Sequence, residues 1–257
     1  MCLLFYCRDA HEHYPFVLLA NRDEFYERPT REAGFWTDHP TVLAGRDLRR
    51  SGTWLGITRS GRWAVLTNFR EPSDTRFERS RGDIVRGYLT GDTSPGDFAA
   101  TLAPVAAQYD GFNLLFGDRN GALWVSNRGG APQALGPGIY GLSNHLLETP
   151  WPKVVNGKRE LQAQLQHEPV KDRLFAPLAD TTVYEDDLPD TGVDPQVERM
   201  LSSAFITSPR YGTRSSTLIT VSRDHRVHFE ERTYHKPADG AADPREYCSK
   251  IFNFSLY

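Results

Sequence analysis

An α+β fold is predicted. Three antiparallel hairpins, helical patterns set in blocks between them, and no regular strand, helix, strand rhythm argue for layers of sheet and helix rather than a doubly wound sheet. In chain order, Leu3-Leu4-Phe5-Tyr6 after Met1-Cys2 reads as the start of a buried strand. The apolar run Phe16 to Ala20 reads as a second, ending at Asn21-Arg22-Asp23-Glu24. Thr53 to Thr58 and Trp63 to Asn68 form a hairpin about the turn Arg59-Ser60-Gly61-Arg62. Phe112 to Phe116 and Ala122 to Ser126 form another, and Ser215 to Val221 with Arg226 to Glu230 a third. Ile251 to Phe254 reads as a closing strand.

Helices are expected over Asp83 to Leu89, Pro95 to Tyr109, Pro152 to Leu165 and Pro195 to Phe205. In the second, Phe98, Leu102, Val105 and Ala106 recur at helical spacing, and the last has Asp194 as N-cap with Pro195 in the first turn. Gln166 to Pro195, with its prolines and the acidic run Glu185-Asp186-Asp187, reads as an excursion or lid. No repeat or internal boundary is visible, so residues 1–257 are expected to form one domain.

The 257 residues can bury a core without disulfides. With 30 basic and 33 acidic side chains the net charge is −3, which provides no long-range field for nucleic acid or an anionic membrane. No apolar stretch is long enough to span a bilayer and no signal peptide pattern opens the chain, so a cytoplasmic protein is expected. Cys2, Cys7 and Cys248 are an odd set without metal or redox spacing. Neither these nor His11 and His13 make a metal site, and no cofactor is expected.

Cys2 has a property the other cysteines lack. Removal of Met1 would leave a thiol of pKa about 8.5 beside an α-amine of pKa about 8, a nucleophile carrying its own base. The other reading of Cys2 is a small buried hydrophobe. Asn21-Arg22-Asp23-Glu24 puts four polar residues where a strand ends, either a solvated turn or the rim of a site. Tyr211-Gly212-Thr213-Arg214-Ser215-Ser216-Thr217 sets one arginine among hydroxyls, suited to clamping a carboxylate or to a surface ion pair. Thr67-Asn68 and Ser143-Asn144 each end an apolar segment with an amide that could serve an oxyanion or a turn. Gly136 to Gly141 matches a dinucleotide glycine pattern by letter, but Pro137 removes an N–H and no helix follows. Gly141-Leu142-Ser143-Asn144-His145 lacks the last glycine of a nucleophile elbow.

Taken together, Met1-Cys2, Asn21-Arg22-Asp23-Glu24-Phe25 with Arg28-Pro29-Thr30, Thr67-Asn68, Ser143-Asn144 and Gly212 to Thr217 resemble the NRDE family, also called the Transport and Golgi organisation 2 family. That family in turn resembles the N-terminal-nucleophile hydrolases, which implies a four-layer αββα sandwich of two antiparallel sheets. The resemblance implies Cys2 as nucleophile, Arg22 as pocket arginine, Asn68 and Asn144 as oxyanion or amine-positioning groups, and Arg214 as a late structural or substrate arginine. Asp23 is the implied aspartate, with Glu24 competing for the role. Neighbours on a strand face opposite ways, so only one of Arg22 and Asp23 is expected to enter the site. Asn21, Glu24 and Arg28 are the expected substrate contacts.

The reaction so implied is hydrolysis of a small-molecule amide. The Cys2 thiolate attacks the carbonyl, the α-amine carries the proton to the leaving amine, and water resolves the thioester. Each oxyanion donor is worth roughly 3 to 4 kcal/mol. The rival reading, also implied by the resemblance, is a non-catalytic binding and trafficking protein for haem or another hydrophobic small molecule, with His11, His13 or His145 as contacts. Arg22 and Arg214 suggest a ligand bearing a carboxylate or other anion.

Overall fold

The computed structural model describes residues 2–73, 75, 77–166, 171–235 and 242–257. Met1 and the Cys2 side chain lie outside that description. In chain order the strands are β1 (Cys2–Arg8), β2 (Phe16–Phe25), β3 (Thr30–Phe35), β4 (Val42–Asp47), β5 (Leu55–Thr58), β6 (Trp63–Asn68) and β7 (Phe112–Gly117). They continue with β8 (Ala122–Ser126), β9 (Gln133–Leu135), β10 (Gly138–Leu142), β11 (Tyr211–Val221), β12 (Arg226–Tyr234) and β13 (Tyr247–Ser255). The α-helices are α1 (Arg81–Thr90), α2 (Pro95–Leu102), α3 (Pro152–Gln164), α4 (Lys171–Leu174), α5 (Ala176–Ala179) and α6 (Pro195–Met200).

The chain divides into two units interleaved along the sequence. The first comprises Met1–Glu27, Pro137–Ser143 and Leu147–Phe254, and the second Arg28–Gly136, Asn144–Leu146 and Ser255–Tyr257. The sheet of the first runs β10-β1-β2-β11-β12-β13. β1 is a central strand, antiparallel to both β10 and β2, and β2 is in turn antiparallel to β11. Alternate residues Leu3, Phe5 and Cys7 of β1, Val17 and Leu19 of β2 and Leu218 of β11 share a core with Val154, Leu161, Leu174, Phe175 and Leu178 of α3 to α5 and the residues beside them. One face of this sheet is therefore the helix-facing side. Each fully buried leucine there contributes about 1.5–3 kcal/mol. Gly157 lets α3 approach, since a Cβ at that position would lie 2.2 Å from the ring of Phe5.

The sheet of the second unit runs β3 to β9 in sequence order, a meander with every pairing antiparallel. Ile84, Val85, Tyr88 and Leu89 of α1 and Ala99 and Leu102 of α2 pack on Ala44, Ala64, Leu66, Leu114 and Phe116 of that sheet.

All three hairpins form, and several of the structure's elements differ from expectation. The polar run Asn21 to Glu24 does not end a strand but lies within β2. α2 stops at Leu102 and continues as a 3₁₀ segment over Ala103–Gln108, where Pro104 lacks the N–H an α-helix requires. α6 stops at Met200 because hydroxyls take over: Ser202 donates to the Arg199 carbonyl at 2.7 Å and Ser203 to that of Phe205 at 2.9 Å. The expected lid contributes α4 and α5, whose Leu174, Phe175 and Leu178 belong to the core; its residues 167–170 lie outside the described ones.

Candidate functional site

Ten residues of β2 alternate between the two faces of its sheet, and this alternation sorts the polar run. Val17 and Leu19 face the helices, so Asn21 and Asp23 do too, while Arg22 and Glu24 take the opposite face. The hydrogen bonds agree. Asn21 Nδ2 donates to the carbonyls of Leu178 at 2.8 Å and Ala204 at 2.9 Å, and its Oδ1 accepts from the Ser216 hydroxyl at 2.5 Å. Asp23 Oδ1 accepts from the Thr213 hydroxyl at 2.7 Å, and the same Thr213 oxygen accepts from the Ile206 N–H at 2.9 Å. Both residues are buried; Asn21 ties the sheet to the layer beneath it, and Asp23 ties β2 to its neighbour β11. The structure does not bring Asn21 and Asp23 to the face of Arg22, but it does bring Glu24 there.

That face is basic. Cys2 is the register partner of Arg22, so position 2 falls on the Arg22 side of the sheet. Arg22 is 6% exposed, with Nη2 at 3.9 Å from Glu24 Oε2. Arg214 occupies a β-bulge: Thr213 pairs with Asp23 and Ser215 with Arg22, leaving residue 214 as the extra one. Its Nη1 donates to the Phe25 carbonyl at 2.9 Å. Burial lowers the pKa of Arg214 and the Arg22 guanidinium lowers it further, while Glu24 acts in the opposite sense. Two guanidiniums and the Glu24 carboxylate thus lie close together on this face, and a pair of guanidiniums is suited to recognising a ligand anion. Sequence reasoning passed over Glu231, a buried carboxylate opposite Thr217 and, by register, on this same face. Behind the bulge, Gly212 sits under Tyr26, and a Cβ there would lie 2.2 Å from the Tyr26 hydroxyl and 2.7 Å from the Ile206 carbonyl.

The remaining predicted residues belong to the second unit. Arg28 is half-buried and engaged with Asp47, Nη2 to Oδ2 at 2.6 Å. Asn68 and Asn144 are brought together. Asn144 Nδ2 donates to the Asn68 carbonyl at 2.9 Å, and the Asn144 carbonyl accepts from the Arg70 N–H at 2.7 Å. Asn144 is fully buried and Asn68 is half-buried at the end of β6. Asn113, missed in the sequence, supports this clasp: it donates to the His145 carbonyl at 2.8 Å and accepts from the Trp124 indole at 3.2 Å. The rings of Phe69 and His145 stand 4.9 Å apart, and burial pushes the imidazole of His145 down from its usual pKa. Among the described residues, no three His, Cys, Asp or Glu side chains are grouped to hold a metal, and no helix is long and apolar enough to cross a membrane.

Residues 1–236 match the sequence profile of the family described as Transport and Golgi organisation 2. The chain belongs to the Transport and Golgi organisation 2 family. It is 38% identical over 256 residues to the Transport and Golgi organization protein 2 homolog of Homo sapiens, covering 91% of this chain and 93% of that protein. The Bos taurus homolog is 38% identical over 259 residues with the same coverage, and the Drosophila melanogaster protein 28% identical over 260. Among solved structures, a variant of the conjugated bile acid hydrolase from Clostridium perfringens superposes with a TM-score of 0.50 over 99% of this chain and 98% of that one, at 9% identity. This member of the Transport and Golgi organisation 2 family therefore has the N-terminal-nucleophile hydrolase fold, an αββα sandwich of two antiparallel sheets.

Proposed function

We propose that this chain is a cysteine N-terminal-nucleophile amidohydrolase acting on a small-molecule amide that carries an anionic group. The observation that carries the reading is the pairing of position 2 with Arg22, beside a bulged Arg214, on one face of a sheet of the N-terminal-nucleophile hydrolase fold. That fold has a member named for hydrolysing conjugated bile acids.

In the proposed reaction, removal of Met1 frees the Cys2 α-amine, which takes the thiol proton as sulfur attacks the amide carbonyl. The same amine protonates the leaving nitrogen, and water, deprotonated by it, then cleaves the thioester. Arg22 and Arg214 hold the substrate anion and favour the Cys2 thiolate. The family resemblance implies Asn68 and Asn144 as oxyanion or amine-positioning groups; within their own unit Asn144 Nδ2 donates to the Asn68 carbonyl.

The test is intact-mass spectrometry of untagged protein before and after iodoacetamide, in a Cys248→Ser background. Cys248 is exposed, whereas burial pushes the Cys7 thiol up to about 12 and silences it at neutral pH. Loss of Met1 with rapid alkylation that Cys2→Ala abolishes is the expected result. Retained Met1, or a Cys2 that alkylates no faster than a buried thiol, sinks the proposal and leaves a binding protein as the better reading.

A further inference from the structure

Asn21 and Asp23 are two residues apart on β2, and both face the helices. Their hydroxyl partners on β11, Ser216 and Thr213, are three residues apart and face the helices as well. Residues three apart on a regular strand point to opposite faces, so both bonds can form only if β11 carries one residue more than β2 over this interval. That extra residue is Arg214, between Thr213 paired with Asp23 and Ser215 paired with Arg22.

We propose that Thr213 and Ser216 are positioning residues that force the bulge and thereby bring Arg214 beside Arg22, and that Asp23 serves the site through Thr213. The purpose assigned to Arg214 rests on the amidohydrolase reading above; the origin of the bulge does not. Each peg is fixed on both sides. Thr213 donates its N–H to the Ile206 carbonyl at 2.9 Å and receives the Ile206 N–H on its hydroxyl, so residues 206 and 213 are locked together before the bulge begins. Beyond it, the Ser216 hydroxyl accepts from Tyr234 at 3.0 Å while donating to Asn21. All four side chains, Asn21, Asp23, Thr213 and Ser216, are at most 2% exposed. At side chains this deeply buried, a lost partner is costly to leave unpaired, so the polar pairs dictate the register. The short runs Asn21-Arg22-Asp23 and Thr213-Arg214-Ser215-Ser216 thus read as two halves of one device, outer polar residues turned to the helices and an arginine from each strand turned to the opposite face.

The experiment compares Thr213→Val/Ser216→Ala with Thr213→Ser and Arg214→Ala, all in the Cys248→Ser background. The rates read are those of Cys2 alkylation by anionic iodoacetate and neutral iodoacetamide. The double variant is expected to lose its iodoacetate-to-iodoacetamide rate ratio about tenfold, to the level of Arg214→Ala, the ratio cancelling any change in the Cys2 thiolate itself. Thr213→Ser keeps the hydroxyl and is expected to keep the wild-type ratio. If the double variant does not fold, Ser216→Ala alone is read in its place, with the same direction expected. A folded variant with the wild-type ratio overturns the proposal. A Cys2 inert to both reagents in the parent protein is a failure of the amidohydrolase reading instead, and a crystal structure of the variant then decides: an unchanged bulge at residue 214 overturns the inference, and a lost one supports it.

Discussion

Glu230 lies on the helix-facing side of β12 in a chain of charges. His228 Nε2 is 3.6 Å from one of its carboxylate oxygens, Arg232 Nε donates to the other at 2.8 Å, and Ser249 donates at 3.0 Å. Arg232 is itself held between the rings of Phe175 and Tyr247, at 3.7 and 4.5 Å. Burial alone would raise the carboxyl of Glu230, but the nearby His228 ring at 3.6 Å, the hydrogen bonds from Arg232 and Ser249 and the charge of Arg232 outweigh it and hold the group at about 2. A depressed folded-state pKa stabilises above the unfolded value near 4.5 and is lost as pH falls towards 2. Wild type is therefore expected to melt above Glu230→Gln at pH about 6, and the gap to shrink steadily towards pH about 2.5. Thermal melts across that range check it, and a gap independent of pH would refute it. At the candidate site, the iodoacetate preference of Cys2 is expected to fall as salt rises from about 0.05 to about 0.5 M, since salt screens the attraction of a dissolved anion beyond about 10 Å at 0.1 M. The candidate residues were nominated by family resemblance, since an early cysteine, an arginine among hydroxyls or an asparagine at a strand end each also has a bland role when taken alone. The faces they take were not legible. Asn21 to Glu24 was read as the end of a strand, and the partners that bury Asn21 and Asp23 lie 195 and 190 residues away.

Elements with local signals were read well. Asp194 caps α6 through the Gln196 N–H at 2.8 Å, and Pro195 occupies its first turn, as the sequence indicates. β3 and β4 escaped because Thr30–Phe35, with burial that does not alternate cleanly, has no period of two to find. Gly157 illustrates what propensity alone misses. Alanine is the better helix former by about 1 kcal/mol, yet a Cβ here meets Phe5 at 2.2 Å. Gly157→Ala is expected to destabilise by about 1–3 kcal/mol in urea unfolding, the cost of overpacking. A neutral or stabilising result would mean that α3 can lift from β1 without loss.

At the scale of the molecule, the α+β class followed from hairpins and helix blocks, whereas the two-sheet arrangement entered through family resemblance. Which strands share a sheet could not be read, because β1 and β2 are paired with segments more than 100 residues away. Neither could the exchange of short segments, by which Asn144–Leu146 joins the second unit while its flanks belong to the first. β1 is flanked on both sides, so deletion of residues 2–8 removes a central strand. Such a variant is expected to lose cooperative unfolding and bind a hydrophobic dye, as judged by near-UV circular dichroism and fluorescence. A cooperative, native-like melt would show that the sheet closes without it.

The order β1-β2-β11 also has a consequence during synthesis. A ribosome adding about 5–20 residues per second needs roughly 10 to 40 s to travel from Asn21 to Ser216, its partner 195 residues on. Through that interval the long second strand has a neighbour on one edge only, and its apolar run from Val17 to Ala20 offers a template to any passing nascent chain. The polar stretch that follows, with one guanidinium and two carboxylates, guards the far end of that open edge until the late strand emerges to cover it.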